Sequence, residues 1–70
     1  MKNDWMSVDI NKLKQEIDKY KKENRTSRAK ISRSINISES TLAKAMTRGT
    51  LSRSVIRKLL ELGMDIVVYN

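Results

Sequence analysis

Apolar residues recur at helical spacing on both sides of a short break in the middle of the chain. In the stretch 27–48, SRAKISRSINISESTLAKAMTR, they form two stripes: Ile31 and Ile35, then Ile37, Leu42 and Ala45. Two short helices that cross at a tight turn bury apolar residues at these offsets. The pattern therefore predicts a helix-turn-helix unit with its turn near residue 36.

Local residue types support this unit. Ser32 is small enough to allow the two helices to approach closely, and Asn36 is one of the few non-glycine types that readily take the left-handed conformation of such a turn. Thr26 or Ser27 precedes the first helix, with Ser27 preferred, and Ser38 precedes the second. Hydroxyls at these positions cap the free backbone N–H groups of a helix.

One amphipathic helix is predicted on each side of the unit. The earlier helix begins after Asp9, an N-cap residue type, and carries a single apolar stripe: Ile10, Leu13, Ile17 and Tyr20. The later helix follows Gly49, begins at Thr50 or Ser52 and ends at Gly63. Its broad apolar face comprises Val55, Ile56, Leu59, Leu60 and Leu62. We expect this face to provide most of the core.

The two chain ends carry weaker patterns. Residues 1–8 are predicted to be an N-terminal arm, in which Trp5, Met6 and Val8 either cover one end of the core or attach loosely. The tail, residues 64–70, is rich in β-branched residues, which favours a strand. A lone strand is rarely stable. We expect it to pair with its own copy in a homodimer rather than with the arm; the alternative is a fifth helix or a frayed end.

Length and composition narrow the class of protein. Residues 1–70 are predicted to form one all-α domain, a compact bundle of four to five helices with a thin core. The chain has no Cys and no His, so we expect no enzyme, no cofactor and no metal site. It has no apolar run long enough to cross a membrane and no signal-peptide pattern, so a cytoplasmic location is expected.

Positive charge is concentrated around the helix-turn-helix unit. The formal net charge is +7 and the pI is near 10.1. Residues 1–18 carry a net charge of −1, residues 19–33 carry +6, and residues 40–60 hold five basic residues and no acid. This distribution favours a polyanion as the partner. The alternative is a solvated basic surface that only aids solubility.

The outward side of the second helix of the unit, at about residues 38–48, is the predicted binding surface: Ser38, Glu39, Ser40, Ala43, Lys44 and Thr47. Arg28, Arg48 and Arg53 are predicted to contact phosphates. None of the six outward residues is Arg, Gln or Asn, the best bidentate readers of guanine and adenine. Glu39 repels phosphate unless it accepts a hydrogen bond from a cytosine amino group.

The stretch SRAKISRSINISESTLA resembles the Cro/CI-type, lambda-repressor-like (XRE) helix-turn-helix family, whose pattern reads T-Q-x-x-L-A-x-x-x-G-V-S-x-x-T-I-S. It matches in residue class over its whole length and by identity at Ser38 and Thr41. The resemblance covers about residues 9–63 and implies a compact helical bundle that binds operator DNA as a dimer. The small size resembles Cro-type or modulator-of-repression proteins of phage lysogeny switches. The departures are Arg28 for Gln, Ser32 for Ala, Asn36 for Gly and Ala43 for Ser.

Two functions of different class follow from these residues together with what the resemblance implies. In the first, the protein is a DNA-binding transcriptional regulator of a phage or prophage switch, and its partner is double-stranded operator DNA. In the second, it is an antirepressor, whose same surface binds the cognate phage repressor and blocks operator binding. Net charge favours the first function, whereas Glu39 among small residues suits a basic side chain of a protein partner and favours the second.

Overall fold

The computed structural model describes residues 5–69, which form four helices and three short strands. In chain order the elements are β1 Trp5–Val8, α1 Ile10–Asn24, α2 Arg28–Ser34, α3 Glu39–Arg48, β2 Thr50–Ser52, α4 Arg53–Glu61 and β3 Val68–Tyr69. The prediction of a mainly helical bundle is confirmed. The all-α class needs correction, because the three strands form a small sheet.

Each helix begins after a side chain that caps it. The side chains of Asp9, Ser27, Ser38 and Ser52 each accept a hydrogen bond from the backbone N–H three residues later. Ser27 rather than Thr26 therefore caps α2, as preferred from the sequence. Ser52 rather than Thr50 caps α4, and Thr50 belongs to β2 instead.

A tight turn on Asn36 joins α2 to α3. Asn36 has φ 62°, its N–H donates to the Arg33 carbonyl at 3.1 Å, and the Ile37 N–H donates to the Ser32 carbonyl at 2.9 Å. This pair of bonds closes the end of α2 as a Schellman motif. Ser32 is buried, and its hydroxyl donates to the Ala29 carbonyl, so its polar atom is satisfied. The predicted turn and the predicted small residue are both confirmed.

The sheet is antiparallel, with β1 between β2 and β3. Met6 of β1 lies opposite Leu51, and Val8 lies opposite Val68. The Val8 N–H also donates to the Gly49 carbonyl at 2.8 Å, immediately after α3 ends. The strand β2 was not predicted, because three residues beside a glycine carry no periodic pattern of their own.

The pairing of the sheet corrects the predictions for both chain ends. Residues 5–8 are the central strand rather than an arm, and residues 1–4 lie outside the described part of the chain. The tail forms its strand at Val68–Tyr69 and pairs with β1 of its own chain, which is the less favoured of the two expected pairings. Because β3 lies at the edge of the sheet, pairing of its other side with a second copy stays a prediction. Pairing within one chain brings the partner strand close without a second molecule, which lowers the entropic cost.

The core draws on every helix and on the sheet. Its largest fully buried side chains are Leu13, Ile31, Ile35, Leu42, Leu51 and Leu59. On α4, Val55 and Ile56 are also buried, but Leu60 is 49% exposed. Leu60 was predicted to face the core; at about 100° per residue it lies about 100° from Leu59 and about 140° from Val55, at the solvent edge of the apolar face.

Candidate functional site

The helix α3 buries one side and presents the other outward. Leu42, Ala45 and Met46 are buried, whereas the residues of the opposite side are exposed or half-buried. Spacings of three and four residues place these outward residues on one stripe, here called the outer stripe: Ser40, Ala43, Lys44 and Thr47. The structure therefore brings together four of the six residues predicted for the binding surface, and Glu39 lies exposed at the first turn of the same helix.

The hydroxyls of this region differ in what they have left to offer a partner. The Ser38 hydroxyl accepts from the Thr41 N–H at 3.1 Å and is 2.7 Å from the Thr41 hydroxyl, so its first role is to cap α3. The Thr47 hydroxyl donates to the Ala43 carbonyl at 3.0 Å, so its donor is used and only its acceptor lone pairs are left for a partner. The Ser40 side chain forms no hydrogen bond with another described residue, so it keeps both donor and acceptor for a partner.

The positive charge of residues 28–61 is not neutralised within the described structure. This segment holds eight basic residues against Glu39 and Glu61, a net charge of +6. Between residues 5 and 69, the ion pairs join Lys12 to Glu16 and Asp65, and Lys22 to Asp18. All of these lie in α1 or in the tail, and none involves α2, α3 or α4. The basic side chains beside the outer stripe are therefore available to an anionic partner.

The three arginines predicted to contact phosphates lie in two regions. Arg48 is the last residue of α3, one turn after Lys44. Arg53 begins α4 directly after Ser52, and Ser52 lies opposite Trp5 in the sheet. These two arginines therefore flank β2.

Arg28 lies in a different place. It is the first residue of α2 and lines a cleft of about 250 Å³ with Lys14 and Lys21 of α1, and with Asp18 and the buried Met46. The structure thus places Arg28 beside α1, in a cleft that also holds the Asp18 carboxylate.

A groove that the sequence did not reveal runs along the side of α3. It has a volume of about 350 Å³ and its lining residues are Trp5, Thr41, Lys44, Ala45, Arg48 and Thr50. Trp5 is 54% exposed and reaches this position because β1 pairs with β2 immediately after α3. No local pattern around Trp5 carries this information, since the pairing joins two strands that are distant in the chain. We refer to it as the Trp5 groove.

Three side chains with shifted pKa values, Asp9, Glu16 and Tyr69, lie in or beside α1 and the tail. The Lys12 backbone N–H and the Tyr69 hydroxyl both donate to the Asp9 carboxylate and lower its pKa. The hydrogen bond between Tyr69 and Asp9 also raises the pKa of Tyr69. The Asp65 N–H, and then Lys12, lower the pKa of Glu16. These hydrogen bonds hold the tail against α1 and do not involve the outer stripe.

The outer stripe offers hydroxyl, methyl and ammonium groups to a partner. Among residues 5–69, no cluster of three or more acidic, His or Cys side chains is placed to hold a metal ion. In the same part of the chain, no helix combines the length and the apolar character needed to cross a bilayer. The chain has no significant match among known protein families, characterised proteins or solved structures. Its function is therefore argued from the geometry and charge of α3 and its surroundings.

Proposed function

We propose that the protein is a DNA-binding transcriptional regulator, in which α2 and α3 act as a helix-turn-helix and α3 enters the major groove. The observation that carries this proposal is the outer stripe: three small side chains and Lys44 on the exposed or half-buried side of a ten-residue helix, together with basic residues that have no acidic partner in the described chain. Small side chains let the helix approach the base edges closely, and the cations beside them suit the two phosphate strands.

Each residue of the outer stripe has a distinct role in this proposal. The Ser40 hydroxyl donates to or accepts from a base edge, and Lys44 donates to the N7 or O6 atom of a guanine. The methyl groups of Ala43 and Thr47 contact thymine methyl groups. Arg48 and Arg53 hold one phosphate strand, which positions α3 without reading sequence.

The biological role that we propose rests on the family resemblance of the helix-turn-helix stretch. The resemblance of residues 27–43 to lambda-repressor-like regulators suggests a cytoplasmic regulator of a phage or prophage switch. Such a regulator binds a two-fold symmetric operator as a homodimer. The dimer contact is then separate from the hydrogen bonds between β1 and β3, which form within one chain.

A gel-retardation experiment tests the proposal. Duplexes selected from a random-sequence pool by the purified protein are titrated at two salt concentrations. We expect retardation that prefers the selected sequence and weakens steeply as salt rises, because each neutralised phosphate releases counterions. Absence of retardation for selected and unselected duplexes at the lower salt concentration contradicts the proposal.

One observation favours a second function, that of an antirepressor. Glu39 is exposed in the first turn of α3 and has no ion pair within the described residues, although the surface around it is basic. An exposed carboxylate next to small side chains fits an Arg or Lys on the DNA-reading surface of a phage repressor. In the same gel experiment, this function predicts no shift by the protein alone and loss of the shift caused by the neighbouring repressor.

A further inference from the structure

The Trp5 groove combines two kinds of surface. Its lining includes Thr41, Ala45 and Thr50, whose side chains carry methyl groups, together with Trp5, which is 54% exposed. Lys44 and Arg48, one helical turn apart, also line it, and neither forms an ion pair with another residue of the described chain. Lys44 belongs both to this groove and to the outer stripe, so the two surfaces are continuous.

This combination fits the chemistry of one strand of a DNA backbone. Along that strand, charged phosphates alternate with deoxyribose rings, whose faces are largely apolar. The spacing of Lys44 and Arg48 by four residues places two cations along one side of α3. An aromatic ring beside them supplies a rigid apolar contact at a small entropic cost, because Trp has few rotatable bonds. The groove is therefore complementary to the backbone in both charge and polarity.

We propose that the Trp5 groove receives the sugar-phosphate backbone next to the site of α3, with Trp5 against a deoxyribose and Arg48 at the adjoining phosphate, while Lys44, which the groove shares with the outer stripe, reaches the base edge. This inference rests on the proposed DNA-binding function and adds to it a residue from outside the helix-turn-helix. Contacts with sugar and phosphate position a protein without reading sequence. Trp5 therefore contributes affinity for DNA of any sequence.

The fluorescence of the wild-type protein provides a direct test, because Trp5 is the only Trp of the chain. Quenching of its emission by acrylamide, a neutral quencher, is measured with and without a saturating mixed-sequence duplex of about 30 base pairs. We expect the quenching constant to fall by about half when DNA covers the ring. An unchanged quenching constant, in a sample whose DNA is retarded in a gel, overturns this inference and leaves the proposed function intact.

Two variants separate the sugar contact from the phosphate contact. We expect Trp5→Ala to raise Kd by about ten-fold for selected and unselected duplexes alike, with an unchanged salt dependence. Arg48→Gln should instead lower the slope of log K against log salt by about one, as expected for loss of one phosphate contact. A Trp5→Ala variant that binds DNA as the wild type does overturns the inference.

Leu60→Ala is the matched control, because Leu60 is similarly exposed at 49% but lies on α4 and does not line the groove. It should bind DNA with wild-type affinity; weakening equal to that of Trp5→Ala contradicts a local role for Trp5. If no duplex is retarded by the wild-type protein, the proposed function fails first and this inference fails with it. Protection of Trp5 from acrylamide by a repressor protein, but not by DNA, overturns the inference in favour of a protein partner.

Discussion

The Glu16 carboxylate accepts a hydrogen bond of 2.8 Å from the backbone N–H of Asp65. Glu16 lies in the middle of α1, and Asp65 follows α4, so this bond joins the tail to the first helix. The ammonium of Lys12 lies 3.5 Å from the Glu16 carboxylate and 3.6 Å from that of Asp65. One carboxylate thus holds the start of the tail against α1, three residues before β3 begins.

This contact makes stability depend on pH. The Asp65 N–H, assisted by Lys12, lowers the pKa of Glu16 below its ordinary value of 4.5. A lowered folded-state pKa means that the stabilisation is present above the unfolded pKa and is lost as the pH falls through the folded pKa. We expect Glu16→Gln to melt at a lower temperature than the wild type near neutral pH, with the difference shrinking as the pH falls through the lowered pKa of Glu16.

Circular-dichroism melts over that pH range measure the difference. The Asp9 carboxylate also has a lowered pKa, but it is present in both proteins and cancels in the comparison. A melting-temperature difference that stays constant from neutral to acid pH would mean that the charge of Glu16 does not stabilise the tail.

Gly49 joins α3 to β2 where the backbone passes close to α1. Its φ is 75°, and a Cβ at this position would lie 3.0 Å from Cγ1 of Ile10 and 3.4 Å from the carbonyl oxygen of Val8. We expect Gly49→Ala to lower the free energy of unfolding by about 2 kcal/mol, from left-handed strain and from crowding of Ile10. Urea denaturation followed by circular dichroism measures this loss.

A double-mutant cycle with Ile10→Ala separates the two causes. Alanine lacks both the Cγ1 and the Cδ1 atoms, which are 3.0 and 3.1 Å from the added Cβ, so the double variant should lose less than the sum of the single losses. Ser40→Ala on the exposed side of α3 should change the free energy of unfolding by no more than about 0.5 kcal/mol and serves as a control. Fully additive losses would assign the whole cost to backbone strain.

Asn36 tests the turn between α2 and α3. At φ 62° an alanine is strained, whereas glycine is not. We expect Asn36→Ala to lose about 1 kcal/mol of unfolding free energy, and Asn36→Gly to stay within about 0.5 kcal/mol of the wild type, since relief of strain offsets the flexibility that glycine adds to the unfolded chain. Chemical denaturation compares the two variants directly, and equal stabilities of the Ala and Gly variants would contradict this account.

The helices were predictable from the sequence because their signals are local. Capping side chains stand three residues before the N–H groups they bind, and apolar stripes repeat every three or four residues, so Asp9, Ser27 and Ser38 mark helix starts without tertiary information. Asn36 likewise marks its turn by residue type alone. The buried positions of α2 and α3 follow from these elements.

The sheet and the Trp5 groove were not predictable in this way. Strand β2 has three residues and β3 has two, too few for an alternating pattern to emerge. The strand β1 pairs with β2, whose position depends on how α3 and α4 pack on either side of it. Only this pairing places Trp5 beside Lys44 and Arg48. The outward residues of α3 were identified from the sequence, but the Trp5 groove beside them was not.

Lys44 tests the outer stripe in the proposed DNA complex. If its ammonium contacts a base, Lys44→Ala should weaken binding to the selected duplex by about 1 to 3 kcal/mol and relax the sequence preference at one position. Lys19→Ala removes the same charge from an exposed site on α1, away from the outer stripe, and should have a much smaller effect. Fluorescence anisotropy with labelled duplexes measures both, and equal losses would mean that Lys44 acts through net charge alone.

Glu39 distinguishes the two functions proposed for α3. Glu39→Lys replaces an exposed anion in the first turn of α3 by a cation, so nonspecific DNA affinity should rise and its salt dependence should steepen. Any inhibition of a phage repressor should be abolished, because a basic partner residue would then face a like charge.

Glu39→Gln is the matched control, since it removes the negative charge without adding a positive one and should give an intermediate DNA affinity. Both effects are measured in one gel experiment with DNA alone and with the repressor present. Unchanged inhibition of the repressor by Glu39→Lys would remove Glu39 from the protein interface and leave the basic surface of α3 to DNA.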